Sequence, residues 1–213
     1  MPGGRSAAAA RRVTRAAARW PAGRGGVLIV AIDGPGGSGK STIAAAVTEA
    51  TGAALVHTDD FFRPGGGPEG SLDRYYDWRR LRAQALEPLR ARRDAVFRRF
   101  DWDRGRGLGG PVTVSPAGLL LLEGVFSAAP QLADLVDRTV FVDTPEPERL
   151  RRLRGRIAPE EWDDNWLLAE QAYFGLTRPP TSFDLTVSGD GDDEHPGPAV
   201  KGAGAVGGGG VER

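Results

Sequence analysis

Val27-Leu28-Ile29-Val30-Ala31-Ile32-Asp33 runs without interruption into Gly34-Pro35-Gly36-Gly37-Ser38-Gly39-Lys40-Ser41-Thr42, and this stretch decides how the chain is read. Its first part is a short continuous apolar run, the pattern of a strand buried on both faces of a parallel sheet. The second part has Gly at both fixed positions of the phosphate-loop pattern, followed by Lys and Ser. Each residue type has a physical task there. Gly34, Gly36, Gly37 and Gly39 let backbone N–H groups, with that of Ser38, turn toward phosphate oxygens at close range. A helix opening near Lys40 aims the free N–H groups of its first turn, through Ser41 and Thr42, at the same anion. Lys40 supplies a compact point charge to the outer phosphates, and the Ser41 hydroxyl is placed to ligate Mg²⁺.

Basic residues elsewhere sharpen this reading. The chain has 28 Lys and Arg, of which Lys40 and Lys201 are the only lysines. Where charge alone is needed the sequence uses Arg, yet inside the Gly-rich loop it uses Lys, because a planar guanidinium is too bulky for a phosphate cradle.

Working outward, Ser41 to Thr51 is Ala-rich, lacks Gly and Pro, and is followed by Gly52, so it reads as a helix with a glycine stop. Ala53–His57, Gly118–Leu122, Thr139–Val142 and Phe183–Val187 are further short apolar runs. Residues 73–93 read as mainly helical, with Trp78, Leu81, Ala85 and Leu89 on one side and a kink at Pro88. Residues 146–157 and 160–175 read as helices, and 63–68 and 101–111 as loops. Short strands alternating with helices predict an α/β domain built on a mostly parallel sheet.

With 213 residues, 40% hydrophobic and 26% charged, the chain fits one soluble domain with a real core. The absence of Cys excludes disulfides, thiolate metal sites and a Cys nucleophile, and two His make a His-built metal site or a Ser-His-Asp triad a poor fit. A net charge of zero argues against a general nucleic-acid coat. No apolar run reaches the ~18 residues of a membrane span, and no secretory signal pattern opens the chain; the expected placement is cytoplasmic. Residues 1–26 carry Arg and no acid, as transit peptides do, but are expected to be a flexible, exposed Arg/Ala-rich arm; residues 27–187 form the domain; and 188–213 are expected to be a disordered Gly-rich tail.

Asp59 and Asp60 follow the second strand and Glu123 ends the third. In open α/β sheets ligands sit at the carboxyl ends of strands, so these acids face the edge that carries the phosphate loop. Glu123 is placed to hold Mg²⁺, and one of Asp59 and Asp60 to take the proton of an attacking hydroxyl. Arg149, Arg152 and Arg156 share one face of a predicted helix, a natural clamp for a transferring phosphoryl group.

Taken together, the phosphate loop, Thr58-Asp59-Asp60-Phe61-Phe62, Tyr76-Asp77-Trp78, Arg99-Phe100-Asp101-Trp102, Leu122-Glu123-Gly124-Val125, Phe141-Val142-Asp143-Thr144 and the Arg-rich helix resemble the uridine kinase-like family of P-loop kinases, over about residues 27–187. The resemblance implies a P-loop NTPase fold with a five-stranded, mostly parallel sheet and an Arg-rich lid, and ATP- and Mg²⁺-dependent phosphorylation of a nucleoside-type hydroxyl. It implies that Asp59 activates the acceptor, that Ser41, Asp59 and Glu123 form the magnesium set, that Lys40, Arg152 and Arg156 serve the transferred phosphoryl group, and that Asp59, Phe62, Asp77 and Phe100 shape the acceptor pocket. The chain departs from the nucleoside kinases in having Phe100 in place of a Tyr and no His in Asp103–Gly107. A site built around a hydrogen bond loses discrimination when its partner is missing. The acceptor is therefore left open between a nucleoside and another alcohol (a sugar, a pantothenate-like or an antibiotic-type molecule). An ATP-binding switch module that transfers nothing to a small molecule is the alternative from another class.

Overall fold

The computed structural model describes residues 4–63, 71–102, 104, 107–156 and 164–190. Five strands, β1 (Leu28–Asp33), β2 (Ala54–His57), β5 (Leu119–Glu123), β6 (Arg138–Asp143) and β7 (Leu185–Ser188), form a fully parallel sheet in the order β2-β5-β1-β6-β7. The phosphate-loop strand is central, which is why all six residues of β1 are buried.

Alternation divides the core in two. Ile29, Val56, Leu120 and Leu122 point to one face, and Leu28, Val30, Ile32, Leu121 and Val140 to the other. Burying each such side chain contributes about 1.5–3 kcal/mol relative to exposure. The first face is covered by α3 (Trp78–Leu81), a π turn (Arg82–Leu86) and α4 (Glu87–Arg90), by a hairpin, and by the segment around Tyr173. Trp78, Leu81, Ala85 and Leu89 are all buried there, as their spacing predicts. The predicted kink is a widened turn: Pro88 has no N–H to return to Gln84, and the helix passes through a π geometry just before it.

The hairpin, β3 (Ala95–Phe100) with antiparallel β4 (Leu108–Val114), corrects the loop expected at 101–111 over residues 108–111. Ala95, Phe97 and Phe100 face inward while Val96, Arg98 and Arg99 face outward, and Gly109-Gly110 concealed the partner strand.

The second face is covered by α2 (Lys40–Thr51) and by α1 (Gly4–Ala17). The exposed arm expected for residues 1–26 is thus corrected over 4–17. Ala9, Ala10 and Val13 fall at helical spacing and are buried against α2 and the sheet, while Arg11, Arg12 and Arg15 stay outside. The domain also extends past 187: Ser188 pairs with Asp143 in the sheet and Gly189 is buried. The tail expected beyond 190 lies outside the described residues. Two further helices, α5 (Glu146–Arg154) and α6 (Asp164–Ala172), follow β6, and α6 continues as a π turn over Tyr173–Thr177. Among the described residues no helix is long and apolar enough to cross a membrane.

Candidate active site

Parallel register brings the working ends of three strands together. Ile32 pairs with Glu123, and Glu123 with His57, so the chain leaves β1, β5 and β2 at one level. From β1 it enters the loop Gly34–Gly39 and then α2. Gly39 caps α2 in a left-handed conformation and no side chain occupies the cap. The first-turn N–H groups are therefore left for an anion. Lys40 is buried, and its Nζ donates to the Pro35 carbonyl at 3.0 Å, folding the charge over the loop.

Asp33, fully buried where β1 meets the loop, accepts hydrogen bonds from the N–H groups of Gly34, Phe126 and Ala128 and from the Tyr173 hydroxyl. It clasps the start of the loop to the turn that follows Glu123.

Ser41 Oγ donates to Glu123 Oε1 at 3.0 Å, and His57 Nδ1 lies 2.7 Å from Oε2. Burial opposes ionisation of Glu123, but His57, Lys40 and Ser41 together outweigh it and hold its carboxyl below the usual range. Desolvation pushes Asp59 up, with the Glu123 charge adding to it, while Tyr76, Lys40 and His57 work the other way. A carboxylate lifted in this way is a better proton acceptor than an ordinary surface Asp. Asp60 turns aside: its carboxylate pairs with Arg99 Nε at 3.2 Å and its carbonyl accepts from Arg80. The two acids diverge because Thr58–Phe61 is a 3₁₀ turn, not a continuation of β2.

Two cavities meet over Lys40. One, about 620 Å³, is lined by Gly37, Gly39, Lys40, Ser41 and Thr42 of the loop, by Arg152 and Arg156, by Gly189 and Asp190 after β7, and by Ser6 of α1. The other, about 530 Å³, is lined by Gly36, Lys40, Ser41, Asp59 and Glu123 on its polar side and by Phe62, Trp102, Val125, Leu153, Trp166 and Leu167 on its apolar side. Gly37, Lys40, Ser41 and Arg156 belong to both.

Most of the residues singled out in the sequence come together here, with adjustments. Arg152 reaches the loop, its Nη1 donating to the carbonyls of Gly37 at 3.3 Å and Gly189 at 3.2 Å. Arg149 does not share that face in practice; it is buried against Glu170 and Glu146. Arg156 stands beyond the end of α5 and is exposed. Phe100 backs the aromatic wall, 5.2 Å from the Phe62 ring and 4.8 Å from Trp102. Asp77 does not line the cavity; it caps α3, accepting from Arg80 N at 3.0 Å, the role its place before a helix favours.

Not legible in the sequence are the stacking of Trp102 on Phe62 at 4.9 Å, the place of Trp166 in the same cavity, the bond of the Tyr76 hydroxyl to Asp59, and the role of Gly189. Gly189 crosses the loop so closely that a Cβ there would overlap the Ser38 carbonyl and the Thr144 hydroxyl. Its one sequence signal is a Gly two residues after the last apolar run, Phe183–Val187.

For a metal, among the described residues no three His, Cys, Asp or Glu side chains are gathered. Ser41, Asp59 and Glu123 nonetheless offer a hydroxyl and two carboxylates to one cavity. Such an oxygen-only, incomplete set fits Mg²⁺, which keeps several waters and takes phosphate oxygens as further ligands.

The overall fold, a parallel 2-5-1-6-7 sheet with the phosphate-loop strand at its centre, resembles solved structures. A possible uridine kinase from Bacillus stearothermophilus superposes with a TM-score of 0.63 at 21% identity, over 83% of this chain and 96% of that one. The chain has a P-loop kinase fold. A candidate fructose transport system kinase from Silicibacter sp. TM1040 superposes with a TM-score of 0.59, also at 21% identity, over 84% of this chain and 98% of that one. No protein-family model and no curated protein sequence matches the chain. In this fold the loop and the acids that follow β2 and end β5 lie at the carboxyl edge of one sheet.

Proposed function

We propose that the protein is an ATP-dependent small-molecule kinase that phosphorylates an alcohol. The observation that carries this reading is the meeting of two cavities over Lys40, one walled by the phosphate loop and Arg152, the other by Asp59 and aromatic rings. A switch module needs the first cavity and has no use for the second. In this reading the nucleotide lies on the α2 N–H groups of Lys40, Ser41 and Thr42, with its outer phosphates at Lys40 and the loop glycines. Lys40, Arg152 and Arg156 offset the charge that spreads over the transferred phosphoryl oxygens. Asp59 orients the acceptor hydroxyl and takes its proton as the new O–P bond forms and the bond from the γ-phosphorus to the bridging oxygen breaks, releasing ADP. Mg²⁺, held by Ser41, Asp59 and Glu123, would supply charge neutralisation at the phosphates.

Phe62, Trp102 and Trp166 favour an acceptor with a flat or apolar body. Nucleosides and other ring-bearing alcohols both satisfy that description. The test is to incubate the chain with Mg-ATP and a panel of nucleosides, sugars and ring alcohols, following ADP release and product mass. Acceptor-dependent ADP release with a product one phosphoryl group heavier supports the reading; ATP binding with no transfer to any member of a broad panel favours the switch.

A further inference from the structure

Glu170 of α6 is 1% exposed, and burying a carboxylate is costly unless it is paired and hydrogen-bonded. Its partners come from three different places. Oε1 accepts from the Gly36 backbone N–H of the phosphate loop at 2.8 Å and from Trp166 Nε1 at 2.7 Å. Oε2 faces Arg149 Nη1 of α5 at 3.4 Å. Gly36 and Trp166 both line the cavity that holds Asp59. The approach to the loop is close: a Cβ at Gly36 would stand 3.1 Å from Oε1 and 3.3 Å from Leu153 Cδ1.

We propose that Glu170 is a positioning residue that ties the shape of the phosphate loop to the aromatic wall of the neighbouring cavity. One oxygen serves two donors, so a shift of either the loop or the indole changes the geometry of both bonds. Arg149 extends the link to α5, whose Arg152 touches the loop at Gly37. Glu170 thereby makes the nucleotide site sensitive to what fills the second cavity, and the second cavity sensitive to the nucleotide, since coupling between sites is reciprocal. Trp166 reaches the loop through the Glu170 carboxylate. The inference rests on the reading that a nucleotide binds at the loop.

The test uses the full chain with ¹⁵N-labelled tryptophan, titrated with the non-hydrolysable nucleotide AMP-PNP and Mg²⁺, with Trp166→Phe assigning the Trp166 indole signal. The Trp166 N–H resonance should move on nucleotide binding in the wild type. Glu170→Gln keeps an acceptor oxygen and should retain the shift, with affinity within about three-fold; Glu170→Leu should abolish it and weaken nucleotide binding about ten-fold, the scale of one charge-assisted hydrogen bond. A Trp166 shift of wild-type size in Glu170→Leu, or equal nucleotide affinity in the two proteins, overturns the proposal. If Glu170→Leu does not fold, Trp166→Phe carries the test: it removes the indole donor together with part of the ring and should weaken nucleotide binding about three-fold, and unchanged affinity overturns the link. A wild type that binds no AMP-PNP overturns the kinase reading itself, whereas binding without a Trp166 response overturns the coupling alone.

Discussion

The Tyr76 hydroxyl donates to Asp59 Oδ1 at 2.8 Å. Tyr76 is 1% exposed and edges onto Phe62 and Trp166, so this bond both satisfies a buried hydroxyl and fixes the carboxylate that faces the cavity. Burial and the Asp59 charge push the Tyr76 hydroxyl well up, so it stays a donor throughout the working pH range. Asp60, one residue on, is engaged with Arg99 and Arg80 outside the cavity.

From this follows a contrast between neighbours. Asp59→Asn should lower acceptor phosphorylation by roughly 10²–10⁴, the usual cost of removing a positioned base, with nucleotide binding largely retained. Asp60→Asn should be the milder change. Single-turnover transfer rates for both variants decide it; normal transfer by Asp59→Asn with loss in Asp60→Asn would assign the role to the wrong acid.

Gly189→Ala should damage the nucleotide side specifically. The added Cβ has no room between Ser38 and Thr144, and forcing extra volume into a packed site typically costs about 1–3 kcal/mol. The expected result is a lower melting temperature together with weaker ATP binding. A variant unchanged in both would mean that the segment after β7 does not press on the loop.

Helix α1 should matter for stability. Val13 is fully buried between α1, α2 and the sheet, and truncating it to Ala should cost about 1.5–3 kcal/mol in urea unfolding. Arg12→Ala, on the exposed side, should change little. Equal, small effects from both would mean that α1 does not dock on the sheet in solution.

The His57–Glu123 pair gives stability a definite pH dependence. Its bond to Glu123 raises the His57 pKa in the folded state, with burial opposing. A group raised on folding stabilises fully below its unfolded value near 6.5 and loses that contribution as pH rises through the folded value. Glu123, held low, remains ionised through this window. His57→Gln, unfolded by urea in the presence of EDTA, should therefore lose more stability relative to wild type at pH 5.5 than at pH 9. An equal loss at both pH values, or a larger one at pH 9, would show that the pair does not carry charge in the fold.

Much of this was legible because local signals matched the fold. The run Val27–Ile32 and the pattern Gly34–Ser41 specify a strand, a turn and a helix start through short-range physics alone, and Glu123 behind four leucines marks a strand end. The pairings Tyr76–Asp59 and Glu170–Gly36 are not legible, since they join residues 17 and 134 positions apart and depend on how helices pack over the sheet. Helix α1 looks like an arm in the sequence because its buried face is made of Ala9, Ala10 and Val13, residues too small to stand out in an Arg- and Ala-rich segment. Gly189 passes for tail because a glycine required for close approach looks, in sequence, like the glycines that follow it.

The proposed function requires the loop around Lys40 to bind a nucleoside triphosphate. Calorimetric titration of Mg-ATP into the wild type and Lys40→Ala measures this. Removing a charge-assisted contact of about 1.5–3 kcal/mol predicts affinity lower by roughly 10–150-fold, with the fold intact by circular dichroism. Equal affinities in the two proteins, or no binding by the wild type, would contradict it.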